Sequence, residues 1–298
     1  LGKTLSTELE PQAKSFDIDQ IRKTLGPGRA LVDYVTFDGN LSAFVLTSED
    51  LHFKSELSTE RNVAEELGQL RFQFEALRYG RNAVSAFAGQ LAQRADLSLA
   101  RLYELLVSPL ESAIGDRDLV VVPSGPLHYV PFSALKSAFG YLIQSRKVSV
   151  APSAAIWQAL MLRPESRSTS PLLVGFSDDA APEVENEVHA IAKILPNATL
   201  FAGKDATFSN FRENAERHDL IHIACHGRFR ADSPLYSSLQ LSDGSINVRD
   251  ISSLKLKSGL AVLSACETGL NKIYPGEEIV GMARGFISAG VKSLILSL

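Results

Sequence analysis

LIHIACHGRF, residues Leu220–Phe229, is the stretch whose reading decides the fold. Its first five residues are apolar except for His222, with branched side chains at Ile221 and Ile223. A run that short, apolar on both parities, suits a strand buried on both faces of a parallel sheet. Gly227 then breaks it. A second run of the same character, LAVLSACETG (Leu260–Gly269), follows forty residues later and contains the only other cysteine of the chain. Around these two, the pattern alternates. LLVGF predicts a strand, 184–195 a helix, ATLFAG a short strand and 208–215 a helix; GEEIVGMARGFISAG predicts another helix and SLILSL a last strand. Strand and helix in alternation mean a mostly parallel sheet covered by helices on both faces. Functional side chains in such sheets collect just past the carboxyl ends of the strands, where Cys225, His226 and Cys266 all fall.

The first half of the chain is organised differently. ALVDYVTF and LSAFVLTS are two β-rich runs separated by Asp38, Gly39 and Asn40, which tolerate the positive φ of a tight turn. From about Ser58 to Ile114, apolar residues at three and four spacing predict two long helices, broken near Gly80 or around RADLS (Arg94–Ser98). DLVVVPSG and KVSVAPS are short strands closed by turn residues. RPESRSTSP, Arg163–Pro171, is polar with proline near both ends and is the most linker-like stretch. It places a boundary between a region over 1–165 and a domain over 170–298.

Composition narrows the function. The 298 residues carry 30 basic and 34 acidic side chains with no basic run, so no footprint for nucleic acid or an anionic membrane is present. Two cysteines are no disulfide framework, and they fit a reducing, cytoplasmic setting. Neither a leader nor an apolar run of about eighteen residues is apparent. The absence of an initial Met suggests a piece of a longer protein.

The chemistry at the strand ends has several readings. Metal is disfavoured, because there is no CxxC or HxxxH pair and adjacent Cys225 and His226 cannot easily wrap one ion. A redox dithiol would keep its cysteines in one short loop. A nucleophile and a base on neighbouring strands fit better: a thiolate attacks a carbonyl, an imidazole handles the proton, and backbone N–H groups receive the oxyanion. Gly227, lacking a Cβ, allows a substrate close to its N–H. The competing reading makes Cys266 a small buried hydrophobe.

HIACHG and LSACETG resemble the His-Gly and Ala-Cys-x-x-Gly boxes of the CHAT domain, a caspase-like, separase-related peptidase family usually found behind tetratricopeptide repeats. VVPSGPLHYVPFSAL, YLIQSRKVSVAPSA, DSPLYSSLQLSDG and GEEIVGMARGFISAG resemble the family in the same order, from about residue 30 to 298. The resemblance implies a caspase-like three-layer α/β/α fold with a mostly parallel sheet over 170–298. It implies an inactive, pseudo-caspase-like α/β region over 1–165, with a hairpin and long helices. It makes the chain a cysteine endopeptidase without cofactor or metal, with His226 as catalytic His, Cys266 as nucleophile, and the N–H groups of Gly227 and Cys266 as oxyanion hole. The partners implied are a protein or peptide substrate and upstream repeats or a regulatory protein. A catalytically silent CHAT scaffold is the alternative.

Cys225, on the other face of its strand, is expected to be packing; His222 and His128 are expected to be structural. Arginine-specific members of the wider clan tend to place an acid close to the catalytic Cys, where this chain has Ser264 and Ala265. Asp232, Ser264, Glu267 and Glu277 are the residues left to line a substrate pocket. The family usually continues beyond SLILSL into a Trp-containing loop, one more strand and closing helices, so the domain is expected to be C-terminally incomplete.

Overall fold

The computed structural model describes residues 17–79, 87–164, 170–179, 181–195, 197–228, 230, 233–265 and 277–296. The chain divides into two compact units, the first over Ala13–Ala159 and the second from Leu160 onward.

In the first unit, helix α1 (Ile18–Leu25) leads into strands β1 (Arg29–Phe37), β2 (Asn40–Leu46) and β3 (Leu51–Thr59). The β1–β2 turn has Asp38 at φ 48° and Gly39 at φ 74°, the pair of positive values that a two-residue hairpin of the right twist demands. β3 is a strand that the helical reading from Ser58 did not foresee. Helices α2 (Glu60–Tyr79) and α3 (Ala88–Leu106) bury Val63, Leu67 and Leu70, and Leu99, Leu102 and Leu106, against Val32, Tyr34, Ala43 and Val45 of the sheet. α3 runs unbroken through RADLS. Ala95, Ser98 and Leu99 are buried there, and Asp96 accepts hydrogen bonds from Tyr141 Oη at 2.7 Å and from Lys136 Nζ. The other suggested break, Gly80, lies outside the described residues.

After the single turn α4 (Glu111–Ile114) come β4 (Asp118–Val122), the small hairpin β5 (Lys136–Ser137) and β6 (Gly140–Tyr141), α5 (Leu142–Ser145) and β7 (Val148–Val150). The five-stranded sheet has the order β3-β2-β1-β4-β7, antiparallel through the first three strands and parallel beyond them. The division between units falls inside α6 (Ala154–Met161).

The second unit is built on β8 (Pro171–Gly175), β9 (Thr199–Ala202), β10 (Leu220–Ala224), β14 (Leu260–Ser264) and β15 (Ser293–Leu296), in the order β15-β14-β10-β8-β9. Every pairing is parallel. Between β10 and β14 the chain adds a small antiparallel sheet, β11 (Gly227–Arg228), β12 (Ser238–Leu241) and β13 (Gly244–Asn247). The connecting helices are α7 (Val184–Ile194), α8 (Phe208–Ala215), α9 (Val248–Ser252) and α10 (Glu277–Ala289).

Alternation sorts the strand residues. Ile221, Ile223 and Cys225 of the β10 segment share one apolar cluster with Leu172, Val174, Ala261 and Leu263, closed by Phe211 of α8, Ile251 of α9, and Met282 and Phe286 of α10. Burying each of the larger side chains contributes about 1.5–3 kcal/mol. The opposite parity meets α7: Val184 and Val188 pack on Ala224. On that face Gly175 leaves room for Val188, which brings α7 close to the sheet. No described helix is long and apolar enough to cross a membrane.

Candidate active site

Strand β10 is central, with β8 on one side and β14 on the other, and its register sets the site. Leu220 pairs with Leu260 and Ala224 with Ser264. Ala224 is two residues before His226, and Ser264 is two residues before Cys266. The last bond described between the two strands is the one that the Cys225 N–H donates to Ser264 O at 3.2 Å. Beyond it the His226 carbonyl accepts instead from the Gln240 N–H of β12 at 2.9 Å. The segment after β10 therefore turns toward β12 at the carboxyl edge of the sheet.

Three histidines spaced by four residues follow this strand, and their ring nitrogens differ. His218 is buried with Nδ1 2.9 Å from Ser170 Oγ and 3.0 Å from Ser170 O. His222 is buried with Nε2 2.9 Å from Glu187 Oε1 on α7. His226 is half-buried; its Nδ1 is sealed from solvent and has no hydrogen-bond partner among the described residues. Among the described residues of the second unit it is the only buried side-chain nitrogen or oxygen in that condition. A buried polar atom left unpaired costs about 1–3 kcal/mol, and such groups call for a role beyond packing.

Gly227 is buried and opens β11 opposite Leu239. Because the bond between strands is made at the His226–Gln240 pair, Gly227 occupies the non-hydrogen-bonded position of the antiparallel ladder. Its N–H is directed away from β12.

Cys225 belongs to the core. It is 1% exposed, and burial pushes its thiol up to about 12, partly opposed by the Gln240 backbone N–H. A thiol held neutral to that degree is a poor nucleophile near pH 7. Ser264 is half-buried at the end of β14, and its hydroxyl donates to Glu187 Oε2 at 3.1 Å. The hydroxyl offered by the sequence for substrate contact is thus engaged with a carboxylate. Glu277 is the first residue of α10. Cys266, Glu267 and Asp232 lie outside the described residues. Among the described residues no group of three His, Cys, Asp or Glu side chains is placed to hold a metal ion.

Sequence reasoning missed Glu187. It sits in an acidic first turn with Glu183 and Glu185 nearby, a composition that reads as a solvated helix start complementing the helix dipole. Its spacing from Val184 and Val188, which face the sheet, was the available signal.

No curated protein matches the chain. The sequence profile of the CHAT domain matches residues 96–298, which includes both boxes and the whole second unit's described sheet. The match starts at Asp96, so the hairpin and α2 stand outside it. With two thirds of its length so matched, the chain belongs to the CHAT domain family, a family of caspase-like peptidases.

Proposed function

We propose that the chain is a cysteine endopeptidase whose nucleophile is Cys266 and whose base is His226. The observation that carries the reading is the His226 Nδ1, which among the described residues is the one buried ring nitrogen without a hydrogen-bond partner, while His218 and His222 have theirs. Family membership and the position of Gly227 support it.

In the proposed reaction, His226 takes the thiol proton of Cys266 and becomes imidazolium, the Cys266 Sγ attacks the scissile carbonyl carbon, and the carbonyl oxygen gains the negative charge. The N–H groups of Gly227 and Cys266 receive that oxyanion. As the tetrahedral species collapses the C–N bond breaks, and the imidazolium of His226 hands its proton to the leaving amine. Water then cleaves the thioester, releasing the acid and restoring the thiol. In the same proposal, residues 170–298 form the caspase-like three-layer catalytic domain and 1–165 its inactive counterpart, with activity governed by upstream tetratricopeptide repeats or a partner protein.

Substitution Cys266→Ala is expected to abolish cleavage of a peptide library while the thermal midpoint stays within about 3 °C of wild type, since removing one sulfur is expected to cost about 1 kcal/mol or less. Survival of cleavage in that variant sinks the assignment. Iodoacetamide is the second arm: Cys266 labels much faster than Cys225 near neutral pH, and equal rates would identify the module as a silent scaffold.

A further inference from the structure

Glu187 joins the two strands that matter most. From α7 its Oε1 holds His222 Nε2 of β10 at 2.9 Å, while its Oε2 accepts from Ser264 Oγ of β14 at 3.1 Å. His222 lies opposite Val262 and Ser264 opposite Ala224, so the carboxylate bridges diagonally across the β10–β14 pair. It does so at the last rung, directly before the chain of β10 turns off to β12. The side chains of this face at that level are small, with Ala224 and Gly175 paired, so they do little to fix spacing.

Packing does not call for this arrangement. A buried imidazole and a glutamate side chain 38% exposed must be partly desolvated, and apolar substitutes would stabilise as well. What a two-oxygen acceptor supplies, and a hydrophobe cannot, is a fixed distance between two donors on different strands. Support of this kind is what holds a site to within about half an ångström.

We infer that Glu187 is a positioning residue: its carboxylate clamps His222 to Ser264 and thereby fixes the spacing of β10 and β14, the strands that lead to His226 and to Cys266. The inference rests on the proposed peptidase reading. It makes distinct demands on three variants. Glu187→Ala leaves the His222 ring and the Ser264 hydroxyl without their partner. Glu187→Gln keeps the clamp, since its amide oxygen accepts from His222 and its NH2 donates to Ser264 Oγ. Ser264→Ala releases only the β14 arm.

The test uses the 298-residue chain and iodoacetamide, with Cys266 and Cys225 labelling resolved by peptide mass spectrometry, together with peptide-library cleavage and thermal midpoints. A displacement of about 1 Å costs about 100-fold in rate. Glu187→Ala is therefore expected to slow Cys266 labelling and kcat by about 10- to 100-fold with KM changed less than about threefold. Glu187→Gln is expected to stay within about threefold of wild type. Should Glu187→Ala fail to fold, Ser264→Ala carries the test, with an expected slowing of about three- to tenfold. Wild-type labelling rates in Glu187→Ala, or in Ser264→Ala where Glu187→Ala does not fold, overturn the clamp alone. Equal loss in Glu187→Gln and Glu187→Ala overturns it as well. A wild-type Cys266 that labels no faster than Cys225 overturns the peptidase reading and the clamp together.

Discussion

Substitution Gly175→Ala probes the contact on which α7 and therefore Glu187 depend. Gly175 ends β8 between Ala224 and Ala202. A Cβ there would stand 2.5 and 2.8 Å from the two Cγ atoms of Val188 and 3.2 Å from its Cβ. Carbon atoms settle at about 3.5–4.0 Å, so helix and strand must separate by about 1 Å. Val188 cannot easily turn aside, because it is fully buried and a helical valine is confined to one rotamer. Overpacking of this kind costs about 1–3 kcal/mol, and the reduced freedom of the unfolded chain returns about 0.4–1 kcal/mol, leaving a net loss of about 1–2 kcal/mol. Val188→Ala alone removes two methyl groups and costs about 1.6 kcal/mol. The double variant removes the clash and is expected to be more stable than the sum of the singles predicts, by about 1–2 kcal/mol. Cys225 is the reporter. In a Cys266→Ala background it is the sole thiol and is 1% exposed, so Ellman's reagent reads the opening of the second unit's core along a urea series. Wild-type stability in Gly175→Ala, or strict additivity in the double variant, refutes the reasoning. With Cys266 restored, Gly175→Ala is also expected to slow its alkylation, because Glu187 moves with Val188.

Burial pushes the Cys225 thiol up to about 12 in the folded chain, from 9.0 for an ordinary thiol. The unfolded chain releases this proton first, so stability is intact below pH 9 and falls between about 9 and 12, by at most about 1.4 kcal/mol per pH unit. Cys225→Ala is expected to flatten the fall in unfolding free energy between pH 8 and 10.5 by up to about 2 kcal/mol; an unchanged slope counts against burial of a neutral thiol. Gly290 has φ +119°, and a Cβ would lie 2.0 Å from Leu256 O, so Gly290→Ala is expected to cost about 3 kcal/mol or more and lower the thermal midpoint by about 6–12 °C. Exposed Gly89, in the first turn of α3 with nothing near its Cβ position, gives the contrast: Gly89→Ala is expected to raise stability by up to about 1 kcal/mol, and equal effects at the two glycines would contradict both backbone assignments.

The second unit was legible because its central strands β8 and β10 are buried on both faces and its helices carry apolar residues at helical spacing. LIHIA and LAVLS had no polar face to mislead, and strict alternation was enough to put Cys225 on the core side. β3 was harder to see. LHFKSELST is exposed along most of its length, so it has no buried parity, and its pairing with β2 is interrupted by a bulge with Glu56 at φ 54°. A strand held by one neighbour's backbone leaves little trace in side-chain pattern. The unbroken α3 was hidden for a different reason. Asp96 and Ser98 look like a helix interruption, but Ser98 is buried and Asp96 is engaged by Lys136 and Tyr141, partners some forty residues away.

Long-range pairing also explains what was and was not readable at the site. His222 could be read as structural from its depth in the strand, yet the group that satisfies it sits thirty-five residues earlier on another element. Glu187 carries two signals that conflict locally: an acidic helix start that favours water, and a position beside Val188 that faces the sheet. Only the tertiary fold decides between them, by bringing a His and a Ser from adjacent strands to one carboxylate. The same comparison isolates His226. Glu187 is spent on His222 and Ser264, and Ser170 on His218, so the fold satisfies the two deeper histidines with nearby acceptors and leaves the one at the strand end with a buried nitrogen unpaired. In the proposed peptidase reading, that nitrogen, unpaired among the described residues, is the one that a reacting group completes. On that reading the pairing of His222 and the unpaired His226 nitrogen belong to one arrangement, and perturbing Glu187 is expected to register in Cys266 labelling before it registers in the stability of the fold.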